Sequence, residues 1–437
     1  MKYLFDCLRV DLSFGTGEIY MSDLIGIKAL GFYGGRIFLD VGELAIARGL
    51  APKRFENLLM RRKSLAMPFE DPVSFAVNAA KRVLDTLVSN DKNRIRLLII
   101  ASESGIDFGK SMGAYVHKHL GLIPQCRQFE IKQACYGGTA ALRMAQAWIA
   151  SEGRTIPGGG MALVITTDIA RPVRYSYAEP SQGSAAIAIL VGSDPQLFAL
   201  DFGASGIHTF EVADACRPTP ELETGDADLS LISYLNCVEQ TFARYREIVG
   251  EVSFTKHFAG LAFHAPFGGM VRGAHRTLMR KLGVKNQAEI DADFALRLMP
   301  SLIYCQEVGN VYSSTVFLAL AGILDLLANR PGVRIGLFSY GSGCCSEFYS
   351  GVVQNDAVET LKINSVSDAL AGRQHISVSR YDNIIDSSPS LSGISDATVG
   401  RTVAKNSVTD IYDNEFSEKS LLVLERVEGY RRIYSWS

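Results

Sequence analysis

Residues 127–150, RQFEIKQACYGGTAALRMAQAWIA, constrain this chain most, because they join a strand, a sharp turn and a helix around one cysteine. The first part alternates apolar and polar residues, as a half-buried strand does. The part after Cys135 repeats small and apolar residues at helical spacing. Cys135 lies at the junction, where unpaired N–H groups and the positive end of the helix dipole favour a thiolate. Gly137 and Gly138 let a ligand or another backbone come close. This stretch alone predicts either a nucleophile or a buried packing cysteine.

Composition limits what kind of protein this is. With 437 residues, 47% hydrophobic and 21% charged, the chain can form two domains or one large doubled one. A net charge of −2 argues against a general nucleic-acid binder. The longest apolar run, residues 316–328, is too short to cross a membrane and contains Asp325. The N-terminus lacks the apolar core of a signal peptide.

Cysteine usage indicates a reducing compartment. The eight cysteines are widely spread, with neither a CxxC pair nor metal-like clustering with histidines. We therefore expect a cytoplasmic enzyme that binds no metal.

A carboxylate follows another predicted strand. Ile95–Ala101 is a continuous apolar run, typical of a sheet buried on both faces. Glu103 follows it, and the carboxyl ends of strands are where α/β sheets place their chemistry. The alternative is that an acid here caps the next helix, which suits Asp107 better than Glu103. Asp168 follows a further buried strand and is a weaker candidate for substrate contact.

The second half of the chain repeats this plan. Residues 258–263 form a predicted strand that ends at His264. Residues 301–308 form another, which turns at Asn310 into a helix over 311–327, as the strand before Cys135 turns into its helix. The pattern predicts two fused, pseudo-symmetric α/β halves that meet at one site.

Other segments are predicted more locally. Residues 42–50 and 54–66 carry short helical patterns, and Asp71 with the following proline predicts the start of a strong helix. Residues 383–410 are polar and suggest a surface excursion. The aromatic tail 430–436 is expected to be tied to the body.

Several motifs, taken together, resemble the 3-hydroxy-3-methylglutaryl-CoA (HMG-CoA) synthase family from about residue 25 onward. They are SESGIDFGKS (102–111), KQACYGGTAAL (132–142), FHAPFGGMVRGAHR (263–276), GNVYSS (309–314) and FSYGSG (338–343). The resemblance is closer to the branch that serves polyketide assembly lines. The stretches behind that choice are FEDPVSFAVNAAK (69–81), EPSQG (179–183), GSGCCSEFYSG (341–351) and GYRRIYSWS (429–437).

The resemblance implies a fold and a division of the chain. The fold is an α/β thiolase fold, with two pseudo-symmetric halves in a layered αβαβα arrangement. Residues 23–195 would form the half with the glutamate and cysteine, residues 196–437 the half with the histidine and asparagine, and residues 1–22 an N-terminal extension.

The resemblance also implies site residues. Cys135 matches the acylated nucleophile, Glu103 the acid/base and His264 the group that orients the second thioester. The expected substrate-binding residues are Asn310, Ser342, Gly341, Tyr340, Pro266 and Arg272. Arg272, like His275 and Arg276, could meet the phosphate of a phosphopantetheine arm, or all three could belong to an ordinary solvated face. Backbone N–H groups at the start of the Cys135 helix are candidates to stabilise an enolate.

The implied activity is β-branching of a polyketide. An acetyl group from a donor acyl carrier protein would be condensed with the β-ketone of a chain on an acceptor carrier protein. Enoyl-CoA-hydratase-like enzymes would act next, and a homodimer is expected. The chemistry needs no metal, nicotinamide or flavin; the phosphopantetheine arm, or CoA, only carries substrate.

Three alternatives remain open from the sequence. The first is a primary-metabolism HMG-CoA synthase that uses acetyl-CoA and acetoacetyl-CoA. The second is a ketoacyl synthase III-like condensing enzyme, disfavoured because Glu103 is present and His264 lies in an H-A-P-F context. The third is a non-enzymatic homologue that only docks carrier proteins, which would have no use for Glu103, Cys135 and His264 together.

Overall fold

A computed structural model describes residues 24–170, 172–176, 178–219, 222–250, 252–387, 401–402 and 408–437. The expected N-terminal extension and most of the predicted excursion over 383–410 lie outside these ranges. The strands are β1 (Ile25–Tyr33), β2 (Ile37–Asp40), β3 (Arg62–Leu65), β4 (Ile95–Ala101), β5 (Arg127–Ile131), β6 (Met161–Ile169), β7 (Ser184–Ser193), β8 (Phe198–Thr209), β9 (Ala215–Thr219), β10 (Leu222–Gly225), β11 (Gly260–Phe263), β12 (Arg334–Gly341), β13 (Cys345–Val353), β14 (Gln374–His375), β15 (Arg401–Thr402), β16 (Leu422–Glu428) and β17 (Arg431–Trp436).

The α-helices are α1 (Val41–Ala47), α2 (Pro52–Leu58), α3 (Pro72–Leu84), α4 (Ser89–Lys92), α5 (Gly113–His119), α6 (Gly137–Ala150), α7 (Ala227–Val249), α8 (Phe254–His257), α9 (Gly268–Lys281), α10 (Gln287–Asp293), α11 (Cys305–Val308), α12 (Thr315–Leu327), α13 (Ala357–Ile363), α14 (Val366–Ala371), α15 (Val378–Ser387) and α16 (Thr409–Glu415). Short 3₁₀ turns cover Glu152–Thr155, Met299–Leu302 and Tyr312–Ser314, and a π turn covers Phe294–Leu298.

The central sheet shows the predicted duplication. Among the described residues, nine strands pair in the order β11-β12-β13-β8-β1-β7-β6-β4-β5. In the first half β4 and β6 are parallel, and β6, β7 and β1 follow antiparallel to one another. In the second half β11 and β12 are parallel, and β12, β13 and β8 follow antiparallel. Strand order and direction therefore repeat, and the halves join where β1 pairs briefly with β8.

Helices cover both faces of the first half-sheet. Along β4, Leu97 and Ile99 belong to the core that includes α6, whereas Leu98 and Ile100 belong to the core that includes α3 and α5. Burial on both faces explains why this strand is apolar throughout. In the second half, α12 packs on β11 and β12, and α7 packs on β8 and β13. The result is the layered α/β arrangement that was predicted.

Asp71 starts α3 and anchors the C-terminal tail. One carboxylate oxygen accepts from the Ser74 N–H (2.9 Å), and the Ser74 hydroxyl accepts from the Asp71 N–H (2.9 Å), which completes a capping box. The other oxygen accepts from Arg432 (2.9 Å) and Tyr434 (2.7 Å) of β17. The predicted helix start and the predicted attachment of the tail are both confirmed, and one residue provides both.

Two local predictions are wrong. Residues 301–308 are not a strand: a 3₁₀ turn that begins at Met299 leads into α11. A short apolar run does not distinguish a buried strand from a buried helix, and Pro300 favours the turn. The helical pattern over 54–66 breaks at Leu59, which adopts the left-handed conformation (φ 50°). β3 follows and pairs with β2, so sheet pairing overrides local propensity there.

The described ranges contain neither a membrane-spanning helix nor a cluster of metal ligands. No helix in them is long and apolar enough to cross a membrane. In the same ranges, no group of three or more histidine, cysteine, aspartate or glutamate side chains is placed so that it could hold a metal ion.

Candidate active site

Cys135 lies in a strained turn between β5 and α6. The preceding Ala134 has φ 43°, a left-handed conformation that is uncommon for a residue with a side chain. The turn leaves Cys135 only 9% exposed. A side-chain carbon added at Gly138 would lie 2.6 Å from Thr166 and 2.8 Å from the Ser313 carbonyl oxygen. Gly138 therefore lets another backbone approach, one of the two uses predicted for the glycine pair.

The Cys135 thiol faces the carboxylate of Glu103. The Cys135 Sγ lies 3.6 Å from Glu103 Oε1, within reach of a hydrogen bond from sulfur. Burial, reinforced by the charge of Asp168, raises the pKa of Glu103 to about 8. Burial and then the negative charge of Glu103 raise the pKa of the Cys135 thiol well above its ordinary value. The expectation that the helix dipole favours a resting thiolate is wrong, because burial and nearby carboxylates outweigh it.

Asp168 holds the loop that carries Glu103. Its Oδ1 accepts from the N–H groups of Glu103 (2.9 Å) and Ser104 (3.1 Å) and from the Ser102 hydroxyl (3.1 Å). Its Oδ2 accepts from the Ser313 hydroxyl (3.1 Å) in the second half of the chain. Asp168 is fully buried. The sequence suggested substrate contact for this residue, but its hydrogen bonds show that it positions Glu103.

Two charged residues of the β9–β10 hairpin lie near the site: Arg217 contacts this loop, and Glu223 contacts Tyr312. Arg217 Nη1 donates to the Glu103 carbonyl oxygen (3.2 Å), and the guanidinium lies 5.4 Å from the centre of the Tyr312 ring. The Tyr312 hydroxyl donates to Glu223 Oε2 (2.8 Å). Sequence analysis missed all three residues. Arg217 and Glu103 are 114 positions apart, and no motif or spacing in the hairpin marks the contact.

Asn310 presents a fixed amide group. Its Oδ1 accepts from the Tyr312 N–H (3.0 Å) and the Thr315 hydroxyl (3.0 Å). Its backbone N–H donates to the Ser181 carbonyl (2.7 Å), and its carbonyl accepts from the Gly183 N–H (2.9 Å). With the oxygen occupied, the NH₂ group is the part of this side chain left to donate to a ligand.

His264 follows β11 and is held by its backbone. Its N–H donates to the Phe338 carbonyl (2.8 Å) on β12, and the Tyr234 hydroxyl donates to its carbonyl (2.5 Å). The ring is buried, which lowers its pKa to about 3. The imidazole is therefore neutral, with one N–H donor and one acceptor nitrogen. Among the described residues nothing hydrogen-bonds to Nδ1.

The end of β12 connects the neighbourhood of His264 to that of Cys135. Its parallel pairing with β11 places His264 beside the last residues of β12. A side-chain carbon at Gly341 would lie 2.6 Å from both the Gln133 carbonyl oxygen and the Tyr136 nitrogen, the residues that flank Cys135. Tyr340 is buried, and its hydroxyl donates to the Asp214 carboxylate, which also accepts from the Gly343 N–H (2.9 Å). Ser342 is half-buried in the turn that follows.

The other expected residues lie on α9 and the turn before it. Pro266 is half-buried between His264 and α9, and Arg272 and Arg276 are exposed. His275 is fully buried, and its Nε2 lies 2.6 Å from Asp293 Oδ1, so it belongs to the core and does not meet a phosphate. The proposed contact of Arg272 with a phosphate stays a prediction.

Two of the N–H groups predicted as enolate donors at the start of α6 are already used. The Tyr136 N–H donates to the Gln133 carbonyl (3.1 Å), and the Gly137 N–H donates to the Ala134 carbonyl (3.2 Å). These bonds close the turn around Cys135. The Cys135 N–H stays a candidate, and the Asn310 NH₂ group and the neutral His264 ring are further ones.

Comparison with known proteins identifies the family. The family model described as hydroxymethylglutaryl-coenzyme A synthase N terminal matches residues 22–196, and its C-terminal counterpart matches residues 274–398. The polyketide biosynthesis 3-hydroxy-3-methylglutaryl-ACP synthase PksG of Bacillus subtilis (strain 168) is 46% identical over 426 residues, which cover 94% of this chain and 99% of PksG. This chain belongs to the hydroxymethylglutaryl-CoA synthase family. It is therefore an acyl-transferring enzyme that forms carbon–carbon bonds.

Other members extend the comparison. The hydroxymethylglutaryl-CoA synthase of Enterococcus faecalis is 33% identical over 361 residues, which cover 82% of this chain and 90% of that enzyme. The crystal structure of the HMG synthase of the curacin biosynthetic pathway superimposes with a TM-score of 0.89 at 47% identity and covers 95% of this chain and 100% of its own. That synthase has also been solved in complex with acetyl donor-ACP. The fold is the thiolase-like fold of these synthases.

Proposed function

We propose that this HMG-CoA synthase family member carries out β-branching on carrier-bound polyketides. It would condense an acetyl group from a donor acyl carrier protein with the β-ketone of a chain on an acceptor carrier protein, and then hydrolyse the thioester to Cys135. The observation that carries the chemistry is the Cys135–Glu103 pair, with 3.6 Å between sulfur and carboxylate oxygen. The 46% identity to PksG supports carrier proteins over free CoA as substrate carriers.

Acylation of Cys135 comes first. The ionised Glu103 takes the thiol proton, and the sulfur attacks the acetyl thioester of the donor. The donor's phosphopantetheine thiol leaves and takes up a proton. Because the thiol pKa is raised by burial, proton transfer accompanies attack rather than preceding it.

Formation of the enolate follows. Glu103, again ionised, removes a proton from the acetyl methyl group. Its raised pKa makes it a stronger base than an exposed glutamate would be. The NH₂ group of Asn310 and the N–H of His264 would stabilise negative charge on the thioester oxygen.

Condensation and hydrolysis complete the reaction. The enolate carbon attacks the β-ketone of the acceptor chain, and the new alkoxide takes its proton from Glu103, now protonated. A neutral His264 can donate a hydrogen bond to that oxygen without carrying a charge. Water then cleaves the bond to Cys135, which frees a carboxylate on the product and returns the thiol.

The remaining expectations belong to the same proposal. The substrates arrive on phosphopantetheine arms, Arg272 on the exposed side of α9 contacts the arm's phosphate, and no metal, nicotinamide or flavin takes part. Residues 23–195 and 196–437 form the two halves of one subunit. Two such subunits form a homodimer in the cytoplasm. Enoyl-CoA-hydratase-like enzymes then dehydrate and decarboxylate the product.

A labelling experiment tests this proposal. Radiolabelled acetyl donor carrier protein should label the wild-type enzyme through a thioester, and Cys135→Ser should abolish the label. Glu103→Ala should be acetylated more slowly, because the base that takes the thiol proton is gone, but acetylation should persist, because the same change removes a charge that raises the thiol pKa. This variant should not condense. Labelling of Cys135→Ser at the wild-type level would remove the nucleophile. Acetylation by free acetyl-CoA as fast as by the carrier protein would favour the primary-metabolism enzyme.

A further inference from the structure

The segment EPSQG (179–183) begins with Glu179, which belongs to a buried ionic cluster that the proposed mechanism does not use. Glu179 is fully buried, and Arg48 grips both of its oxygens, Nε to Oε2 and Nη2 to Oε1, each at 2.9 Å. Asp382 on α15 accepts from the far side of the same guanidinium. Lys63 on β3, 1% exposed, donates to the Glu179 carbonyl oxygen. We call these four residues the brace.

Glu179, one of the four residues of the brace, begins a turn that holds Asn310. Within residues 179–183, the Ser181 carbonyl accepts from the Asn310 N–H (2.7 Å), and the Gly183 N–H donates to the Asn310 carbonyl (2.9 Å). The turn packs tightly against the residues before Asn310, because a side-chain carbon at Gly183 would lie 1.9 Å from the Val308 carbonyl oxygen. Both backbone groups of Asn310 are therefore fixed by the turn that Glu179 begins.

Among the described residues, the hydrogen bonds that Asn310 itself makes outside its own segment all go to this turn. The partners of its Oδ1, Tyr312 and Thr315, follow it in the chain and move with it. Further along the segment, the Ser313 hydroxyl donates to Asp168 (3.1 Å) and the Ser314 hydroxyl to Thr166 (2.8 Å), so the segment as a whole has other contacts with the first half. The turn that Glu179 begins is the contact that fixes the backbone of Asn310 itself, at the start of the segment, relative to β7.

We propose that Glu179 is a positioning residue for condensation, which acts through the 179–183 turn to place the Asn310 amide. The inference rests on the proposed function, because it takes Asn310 as a donor to the reacting thioester or ketone. A buried ion pair alone is weak evidence of stabilisation, since apolar residues of similar volume often serve as well or better. Four polar residues from separate elements around one turn are better explained by the need to hold that turn in one place.

The test is a double-mutant cycle between Glu179→Gln and Asn310→Ala. Rates are measured in a single turnover of acetylated enzyme with an acceptor carrier protein, and divided by the number of sites that accept acetyl. That division removes any unfolded fraction from the comparison. Misplacement of a reacting group by about 1 Å can cost about 100-fold, so we expect Glu179→Gln to lose about 10- to 100-fold in condensation. In the Asn310→Ala background it should lose less than about 2-fold further.

Asp293→Asn is the matched control. Asp293, the last residue of α10, is also a largely buried carboxylate. It pairs with Arg297 of the following π turn and with His275 of α9, and it does not contact the 179–183 turn. We expect it to lower stability and leave the normalised condensation rate within about 2-fold. Arg48→Lys is a milder variant on the other side of the ion pair, because it keeps the positive charge and loses the bidentate hydrogen bond to Glu179. We expect it to slow the same condensation step.

Two results would overturn the inference. One is a normalised rate for Glu179→Gln and Arg48→Lys equal to that of the wild type. The other is the same fold-loss in the Asn310→Ala background as in the wild type, which would mean that Glu179 acts independently of Asn310. Failure of the proposed function looks different, because the wild-type enzyme itself would then form no condensation product.

Discussion

The raised pKa of Glu103 predicts how condensation depends on pH. Glu103 must be ionised to remove a proton from acetyl-Cys135, and its pKa is raised to about 8. The rate should therefore rise with pH through about 8 and level off above it, instead of levelling off near the ordinary glutamate value of 4.5. The hydrogen bond from the Cys135 thiol lowers the pKa of Glu103, and acetylation removes that bond. The midpoint of the rise in the acetyl-enzyme therefore lies at or slightly above 8.

The magnitude follows from the ionised fraction. With a pKa of about 8, roughly 1% of Glu103 is ionised at pH 6 and roughly 90% at pH 9, so the rate should rise about 100-fold between them. Buried His264, with its pKa lowered to about 3, adds no second limb in this range. The assay pre-acetylates Cys135, adds acceptor at constant ionic strength and follows single-turnover product by mass spectrometry.

A variant of Asp168 tests why the pKa of Glu103 is raised. The charge of Asp168 is the second contribution that raises the Glu103 pKa, after burial. Asp168→Asn removes that charge and should move the rise in rate to lower pH. A rate that is flat from pH 6 to 9 would refute a raised pKa at Glu103. A limb that does not move in Asp168→Asn would refute the assigned cause.

Three further predictions concern stability and are checked by urea unfolding. The folded-state pKa of His264, about 3, lies below its ordinary 6.5, so stability present above pH 6.5 is lost as the pH falls toward 3. That loss is about 2 kcal/mol between pH 7.5 and pH 5, and His264→Gln should lack it; an unchanged pH dependence would contradict the burial of a neutral ring. Gly138→Ala should lose about 1–3 kcal/mol, because its new carbon meets Thr166 at 2.6 Å, and a neutral result would contradict that packing. Asp71→Ala should lose about 3 kcal/mol or more, since it removes a helix cap and leaves Arg432 buried without its partner; a loss below about 1 kcal/mol would contradict the double role.

Local patterns predicted much of the fold. The apolar run Ile95–Ala101 is β4, and Asp71 caps α3, because strand burial and helix capping depend on residues that are close in the chain. The duplicated layout also follows from the sequence, although residues 301–308, the expected counterpart of β5, are not a strand. Residues 301–308 were mistaken for a strand because a short apolar run has no period long enough to separate strand from helix.

The site was predictable only in part. The motifs around Cys135 and Glu103 pointed to the pair that the structure brings to 3.6 Å. The resting thiol was not predictable, because its pKa depends on burial and on carboxylates from distant segments. Arg217 and the brace around Glu179 were missed for the same reason. Their partners are joined only by the folded chain, and no local spacing records the contact.

The intact mass of the acceptor carrier protein shows whether this enzyme condenses an acetyl unit with it. A β-ketoacyl chain on an acceptor carrier protein is incubated with acetyl donor carrier protein and enzyme, and the intact mass of the acceptor is recorded before and after. The account predicts a gain equal to one acetic acid, the sum of the acetyl unit transferred through Cys135 and the water that releases it. An unchanged acceptor mass, together with an acetylated Cys135, would contradict condensation as the function of this enzyme.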